Sequence, residues 1–215
     1  MLNMIVVVQQ HNSGQYRSLL NQMFRLRARV FHDRLRWKVQ VTDGMEIDKY
    51  DSEDPVYVLY TDEEQRQLIG SLRLLPTTGP TLVADYFEDT VPDTARLTSP
   101  YIWECTRFCV DEDFLGNGNR DDLIFASGVL FAALGEVALD AGIETILANF
   151  DARMHRLYRR VGCEVEVLGS TGRYGPTVYL GSFAVSEEIL RRIMARLRIG
   201  EGPLAASRHQ RRLAA

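Results

Sequence analysis

Two charged residues stand in the middle of an apolar run. In Tyr101-Ile-Trp-Glu-Cys-Thr-Arg-Phe-Cys-Val110, Glu104 and Arg107 are flanked on both sides by aromatic and aliphatic residues. The run has the composition of a strand inside a sheet, where an unpaired charge is costly. Partners are therefore required, and a buried carboxylate with partners is a place for acid–base chemistry. The acidic run Gly44-Met-Glu-Ile-Asp-Lys-Tyr-Asp51 and the lone Arg73 of Gly70-Ser-Leu-Arg-Leu-Leu75 supply candidates. Two inward arginines, one inward glutamate and nearby aspartates make an ion-pair network, either catalytic or purely structural. Glu46, Asp48 and Asp51 lack the Asp-x-Asp-x-Asp-Gly spacing of a hard-cation loop, so no metal is expected. Arg27, between Arg25 and Arg29, reads on composition alone as part of a charged helix surface.

Three further features bear on chemistry. Cys105, Cys109 and Cys163 have no Cys-x-x-Cys spacing. On one strand the first two would be roughly 13 Å apart, too far to bridge. Reduced core thiols are the expectation, and no histidine near in sequence would activate one. Asp113-Phe-Leu-Gly-Asn-Gly118 leads into a helix. Such a loop either cradles a phosphate with its backbone N–H groups or only supplies turn geometry and a cap. Finally, Arg153, His155, Arg156, Arg159 and Arg160 crowd one short helix, with Arg191, Arg192, Arg196 and Arg198 on the last. Positions 153, 156 and 160 share a helix face.

The elements that must position these residues follow from periodicity and turn signals. Ile5–Val8 is a first or edge strand. A helix opens at Ser13 or Gly14 and runs to about Arg34. Residues 36–50 are irregular, with a turn at Thr42-Asp-Gly44. Strands are expected at 55–60 and 68–75, joined by a polar turn, and then at 101–110. Residues 82–87 are of uncertain type. An apolar helix at 121–141, a strand at 145–150, a helix at 152–161, strands at 164–168 and 177–185 and a helix from Ser186 to about Leu197 complete the order. A three-strand meander followed by a β-α-β crossover gives an α/β (αβα) single domain, a mixed central sheet with helices on both faces. The domain is expected over 1–199, followed by a basic, disordered tail, 200–215.

With 215 residues, one domain with a sizeable core is accessible. A net charge of −4 and 46% hydrophobic residues are unlike a nucleic-acid binder or a polybasic membrane protein. The opening apolar run is too short for a signal peptide. No run is expected to reach the roughly 18 apolar residues of a membrane span, so the expected location is cytoplasmic.

Taken together the pieces are more specific. Arg27-x-x-x-Phe31, Trp37, Gly44-x-Glu46-x-Asp48-x-x-Asp51, Gly70-x-Leu-Arg73-Leu-Leu-Pro76 and Glu104-x-x-Arg107-Phe108 occur in this order. Over roughly residues 20–185 the chain resembles the acyl-homoserine-lactone synthases, the autoinducer synthases of bacterial quorum sensing. The resemblance implies an N-acetyltransferase-like fold. It implies S-adenosylmethionine as a substrate rather than a cofactor, an acyl chain on the phosphopantetheine of acyl carrier protein, and release of 5′-methylthioadenosine with N-acyl-L-homoserine lactone. Arg27, Phe31 and Trp37 match the family's lid over the nucleotide. Asp48, Asp51, Arg73, Glu104 and Arg107 match its polar cluster, with Phe108 and Phe87 also at pattern positions. Glu104 is the expected base, with Asp48 second. Ala148 stands where relatives making 3-oxo products often carry threonine, so unsubstituted or 3-hydroxy acyl chains are expected. The walls of the acyl tunnel are expected in 123–137 and 145–150, and Arg153, Arg156, Arg159 and Arg160 would attract an acidic carrier.

Two other readings compete. A general N-acetyltransferase using acetyl coenzyme A would share the fold. Asp113, at the first position of the pyrophosphate loop, would repel its phosphates. An inert binding domain of the same fold would be free to lose its charged cluster, and this chain keeps every member.

Overall fold

In the computed structural model, which describes residues 3–90, 94–116, 119–173 and 175–213, the apolar runs assemble into one seven-stranded sheet. β1 (Met4–Val8) leads through a 3-10 turn into α1 (Arg17–Arg27), which continues as a π-helical turn over Ala28–Arg34. A two-strand hairpin, β2 (Val41–Thr42) and β3 (Met45–Glu46), follows. Its turn is Asp43-Gly44, both at positive φ, the pairing a two-residue hairpin demands. Then come β4 (Val56–Thr61), β5 (Leu68–Pro76), α2 (Leu82–Tyr86), β6 (Ile102–Val110), α3 (Arg120–Asp140), β7 (Thr145–Phe150), α4 (Ala152–Val161), β8 (Glu166–Thr171), β9 (Val178–Ala184), α5 (Glu187–Leu197) and α6 (Pro203–Leu213). The large sheet has the order β1-β4-β5-β6-β7-β9-β8. All its pairs are antiparallel except β6–β7, the pair joined by the crossover helix α3. The α/β expectation of a mixed sheet is met.

Two sheet irregularities prepare the site. The first is a bulge in β6. Ser71 pairs with Cys109 and Arg73 with Thr106, so Arg107 and Phe108 together oppose Leu72. Arg107 takes φ 54°, a left-handed backbone that costs a non-glycine residue on the order of 1–3 kcal/mol. The extra residue breaks the alternation of faces. Thr106 and Arg107, neighbours in sequence, now face α1 and the acidic hairpin, while Phe108 stacks on Phe131 of α3. The second is a divergence. β6 and β7 pair from Ile102–Thr145 only to Glu104–Leu147. Beyond that both strands continue unpaired with each other, and a gap opens in the middle of the sheet.

One face of the sheet carries α3, α5 and α6, and the other carries α1 and α2. Residues 126–134 of α3 are buried without interruption, the pattern of a helix enclosed on all sides. By length and composition α3 is apolar enough to cross a membrane, contrary to the expectation that no run would be. In this fold half of that stretch is buried against the rest of the domain, as in a core helix. The tail is a second correction. Instead of a disordered segment, Pro203–Leu213 form α6. Glu136 of α3 accepts the N–H groups of Leu204 and Ala205, and Ser207 Oγ accepts the N–H of Ile5 at 2.7 Å. Leu204 and Ser207 are buried.

Candidate active site

The acidic hairpin folds its three carboxylates onto three arginines. Asp48 caps the helical turn 49–52 by accepting Tyr50 N–H, and Asp51 reciprocates by accepting Asp48 N–H at 2.8 Å. The spacing Asp48-x-x-Asp51 is thus a reciprocal cap that leaves the outer lone pairs for guanidinium groups. Arg27, at the end of α1, donates Nε to Glu46 at 2.5 Å and both terminal nitrogens to Asp51 at 2.8 and 2.9 Å. Arg73 on β5 grips both oxygens of Asp48 at 2.5 and 2.9 Å, reaches Asp51 at 2.8 Å and donates Nε to Thr106. Arg107 bonds Glu46 and lies 2.8 Å from Asp48. Tyr57 Oη donates to Asp51 at 2.8 Å. Three cations face three anions, so the cluster is neutral as a whole.

Burial sharpens these pairings. Arg27 and Arg73 are fully buried. Burial works against the Arg27 charge, but Asp51 and Glu46 more than restore it and hold its proton tighter than usual. Burial alone would raise the Asp51 carboxyl. The bonds and charge of Arg27, with the charge of Arg73, override it and keep Asp51 well below the usual carboxylate range.

Glu104 is set apart. It forms no ion pair among the described residues, and its two oxygens accept the N–H groups of Leu82 and Val83 at 2.8 and 2.9 Å, at the start of α2. Burial pushes it up to about 7, against the pull of those N–H groups and of the Arg73 and Arg107 charges. It is therefore a carboxylate poised near neutrality. Burial likewise pushes the Cys105, Cys109 and Cys163 thiols up to about 12, which leaves them protonated and poorly nucleophilic.

Where β6 and β7 part, a cleft of about 480 Å³ runs through the sheet. On the α2 side it is lined by Leu82, Phe87, Thr106 and Arg107, and on the α3 side by Leu123, Ile124, Phe131 and Ala148. Met154, Leu157 and Tyr158 of α4 form a wall outside the expected segments. Of the sequence-selected residues, Phe31, Trp37, Arg107, Phe108, Ala148, Arg153, Arg156 and Arg160 border this cleft. Asp48, Asp51, Arg73 and Glu104 stand behind it. Arg27 is not part of a lid at all, since its guanidinium is locked in the ion cluster. Phe31 and Trp37 line the cleft, with ring centroids 5.1 Å apart. Phe31 is buried under the Arg107 guanidinium, and Trp37 is 45% exposed. Arg159 does not border the cleft; its backbone carbonyl accepts from Arg196 of α5. The Asp113 loop ends in Asn117 and Gly118, which lie outside the described residues.

Some site residues were not selected from sequence. Glu46 looked like one more loop acid but joins Arg27 to Arg107. Thr106 and Tyr57 were hidden as ordinary strand residues. Asn149 falls inside the expected tunnel-wall segment, where a polar amide within Leu147-Ala-Asn-Phe150 is the visible signal.

The comparisons with known proteins agree with one another. Residues 11–193 match the family model described as autoinducer synthase. The chain is 39% identical over 182 residues to an acyl-homoserine-lactone synthase of Rhizobium etli, covering 84% of each. Among solved structures it is similar to BjaI, a CoA-dependent acyl-homoserine lactone synthase determined with SAM and isopentyl-CoA. The identity is 26% and the TM-score 0.79, over 96% of this chain and 99% of that one. An N-acetyltransferase structure from Lactobacillus plantarum, 16% identical with a TM-score of 0.54 over 85% of this chain and 99% of that one, shares the fold alone.

Proposed function

The chain belongs to the autoinducer synthase family and is an enzyme of the acyl-homoserine-lactone synthase kind, and on that premise we propose how its own residues divide the work. The amine of S-adenosylmethionine attacks the thioester of an acyl carrier protein, the pantetheine thiol leaves, and an amide forms. The substrate carboxylate then attacks its own γ-carbon and displaces 5′-methylthioadenosine, closing the lactone.

The observation that carries this reading is the opening of the cleft directly after Glu104, with a neutral, fully paired ion cluster on one side and an apolar wall on the other. The α-amino group has a pKa of about 7.7–8.0 in water and is mostly protonated near pH 7. A carboxylate with its pKa near 7 suits the removal of that proton, directly or through one bridging water. Asp48, the second choice, has both oxygens occupied by Arg73 and a further bond to Arg107. The cluster instead fixes the position of Arg107 and Thr106 at the cleft, and Arg107 offers its positive charge to the substrate carboxylate. Phe31 and Trp37 close over the adenosine. The acyl chain runs between Leu123, Ile124, Phe131 and α4. Ala148 offers no hydrogen bond to a 3-oxo group, which favours unsubstituted or 3-hydroxy chains.

For the donor, acyl carrier protein fits better than coenzyme A. Arg153, Arg156 and Arg160 are exposed at the rim of the cleft, and an acidic carrier would be steered there. The loop before α3 is poorly suited to the coenzyme A pyrophosphate. Asp113 is exposed on it, and Asp121 and Asp122 already occupy the first helical turn, where they answer the helix dipole.

The test is mass spectrometry of products from S-adenosylmethionine with matched donors. N-acyl-homoserine lactone and 5′-methylthioadenosine are expected together. The rate should be higher with the carrier protein than with coenzyme A, and no higher with 3-oxo than with unsubstituted chains. The carrier-protein rate should fall steeply with salt, because exposed charges are screened beyond about 8 Å at physiological ionic strength. Reversing Arg156 and Arg160 to Glu should raise KM for the carrier and leave that for S-adenosylmethionine nearly unchanged. Without methylthioadenosine release the reaction assignment fails. A faster coenzyme A donor overturns only the choice of carrier.

A further inference from the structure

Asn149 has a buried side-chain amide, and neither its Nδ2 nor its Oδ1 has a hydrogen-bond partner among the described residues. Each buried polar group left unmade costs on the order of 1–3 kcal/mol. Its backbone pairs with Leu180 of β9, which leaves the side-chain amide itself unanswered. Ser127, also unpartnered and also at the cleft, is a different case. A helical serine can rotate to the carbonyl four residues back, and a strand asparagine has no such local escape.

The position of the amide is informative. Ile146, Ala148 and Phe150 pack toward α3 and α4, while Leu147 packs with Val83 on the α2 side. By alternation Asn149 shares the face of Leu147. Glu104, bonded to the N–H of Val83, and Thr106, bonded to Arg73, are on that same face of β6. Leu147 is the last residue of β7 paired with β6, opposite Glu104, and Asn149 follows two residues later on the far bank of the gap. With a rise of about 3.3 Å per residue and strands about 4.8 Å apart, the Glu104 and Asn149 backbones are roughly 8 Å apart where the gap begins. A small reacting group fits between the two side chains, and Leu82, Phe87 and Thr106 border the same part of the cleft.

We propose that Asn149 orients the two reacting groups of the acyl transfer: Nδ2–H donates to the thioester oxygen and Oδ1 accepts an N–H of the attacking amine. The inference rests on the reaction assigned above. A carboxamide presents one donor and one acceptor side by side, and a thioester carbonyl meeting an amine presents the complement. As the amine nitrogen bonds to the carbonyl carbon, the oxygen gains negative charge and the Nδ2–H bond strengthens. Glu104 has already taken one proton to free the amine; as the tetrahedral species collapses its C–S bond breaks, the second amine proton passes to the departing pantetheine sulfur, which leaves as the thiol, and the amide remains.

The test compares Asn149→Leu and Asn149→Ala with the wild-type chain, reading kcat, both KM values and the melting temperature. Leucine has nearly the same size and removes the unpaired polar atoms. Its melting temperature should therefore equal or exceed that of wild type, while kcat falls roughly 10²–10³-fold, the usual effect of losing an oxyanion donor. Both KM values should stay within a few-fold, because the bond matters in the transition state. Asn149→Ala, which cannot overpack, should show the same loss of kcat should the leucine variant misfold. A kcat within about threefold of wild type in either folded variant overturns the proposal, as does a loss confined to KM or a drop in melting temperature with unchanged kcat. An inactive wild-type chain would instead bring down the reaction assignment, and this inference with it.

Discussion

Glu104 and Asp48 lie within hydrogen-bonding networks of opposite character. Asp48 is surrounded by guanidinium groups, whereas Glu104 is held only by two backbone N–H donors and is pushed up to about 7 by burial. Glu104→Gln is expected to lower turnover by roughly 10²–10⁴-fold. Wild-type kcat/KM should rise about tenfold per pH unit below 7 and level off above it, and the variant should lack that limb. Stability carries the opposite sign. A carboxyl raised from 4.5 to about 7 favours folding below 4.5, and that contribution is lost as pH climbs through 7. On the order of 3 kcal/mol should therefore disappear from wild type between pH 4.5 and 7, and not from the glutamine variant, as read by denaturant unfolding at the two pH values. Unchanged turnover in Glu104→Gln would end the assignment. The charged residues themselves were legible in sequence, because charges inside apolar strands are conspicuous. Their pairing was not. Simple alternation puts Glu104 and Arg107 on opposite faces, and only the bulge at Arg107 brings that guanidinium round to Glu46.

The bulge and the π-helical turn are both departures that a periodic pattern cannot reveal. From Tyr16 to Val30 the apolar spacing reads as one continuous helix to Arg34. The wider last turn instead buries Val30 and Phe31 in succession and donates Leu35 N–H to the Val30 carbonyl, five residues back. This change of pitch aims Phe31 at Arg107 and carries the chain over the cleft to Trp37, whose N–H returns to the Phe31 carbonyl at 2.8 Å. At 45% exposure Trp37 is no core residue, so its removal should not cost the roughly 3–5 kcal/mol of a buried tryptophan. Trp37→Ala is expected to leave the melting temperature within a few degrees of wild type. It should weaken S-adenosylmethionine binding more than acyl-donor binding, as calorimetric titration would measure. A large fall in melting temperature with intact affinity would make Trp37 a packing residue instead. The meander, the crossover helix α3 and the strand β7 were plain from sequence because each has a strong period or turn signal. The hairpin of β2 and β3 was visible only as its Asp-Gly turn, since two-residue strands have no period to detect.

Across the whole molecule the sheet acts as a partition. The polar cluster, Glu104 and Asn149 occupy one face, the apolar cleft wall occupies the other, and the divergence of β6 and β7 is the passage between them. The helix that completes this body, α6, was illegible for a physical reason. Gly200-Glu-Gly-Pro203 reads locally as a stop, while the groups that hold α6 come from far away. Glu136 supplies acceptors for its first N–H groups, and Arg208 pairs with Asp140 at 2.9 Å. Ser207 meanwhile occupies an N–H of β1, the outermost strand on that side. An outermost strand with free N–H and C=O groups is a template for another chain. These contacts predict that α6 guards against self-association, apart from any part in the reaction. A chain ending at residue 199 is expected to keep its substrate affinities when dilute. Its light scattering should rise with protein concentration, as Met4–Val8 of one copy finds the same strand of the next. Substituting the half-buried Val7 by Lys in the shortened chain should suppress that growth by putting a charge on the uncovered strand, and growth that persists would locate the sticking surface elsewhere.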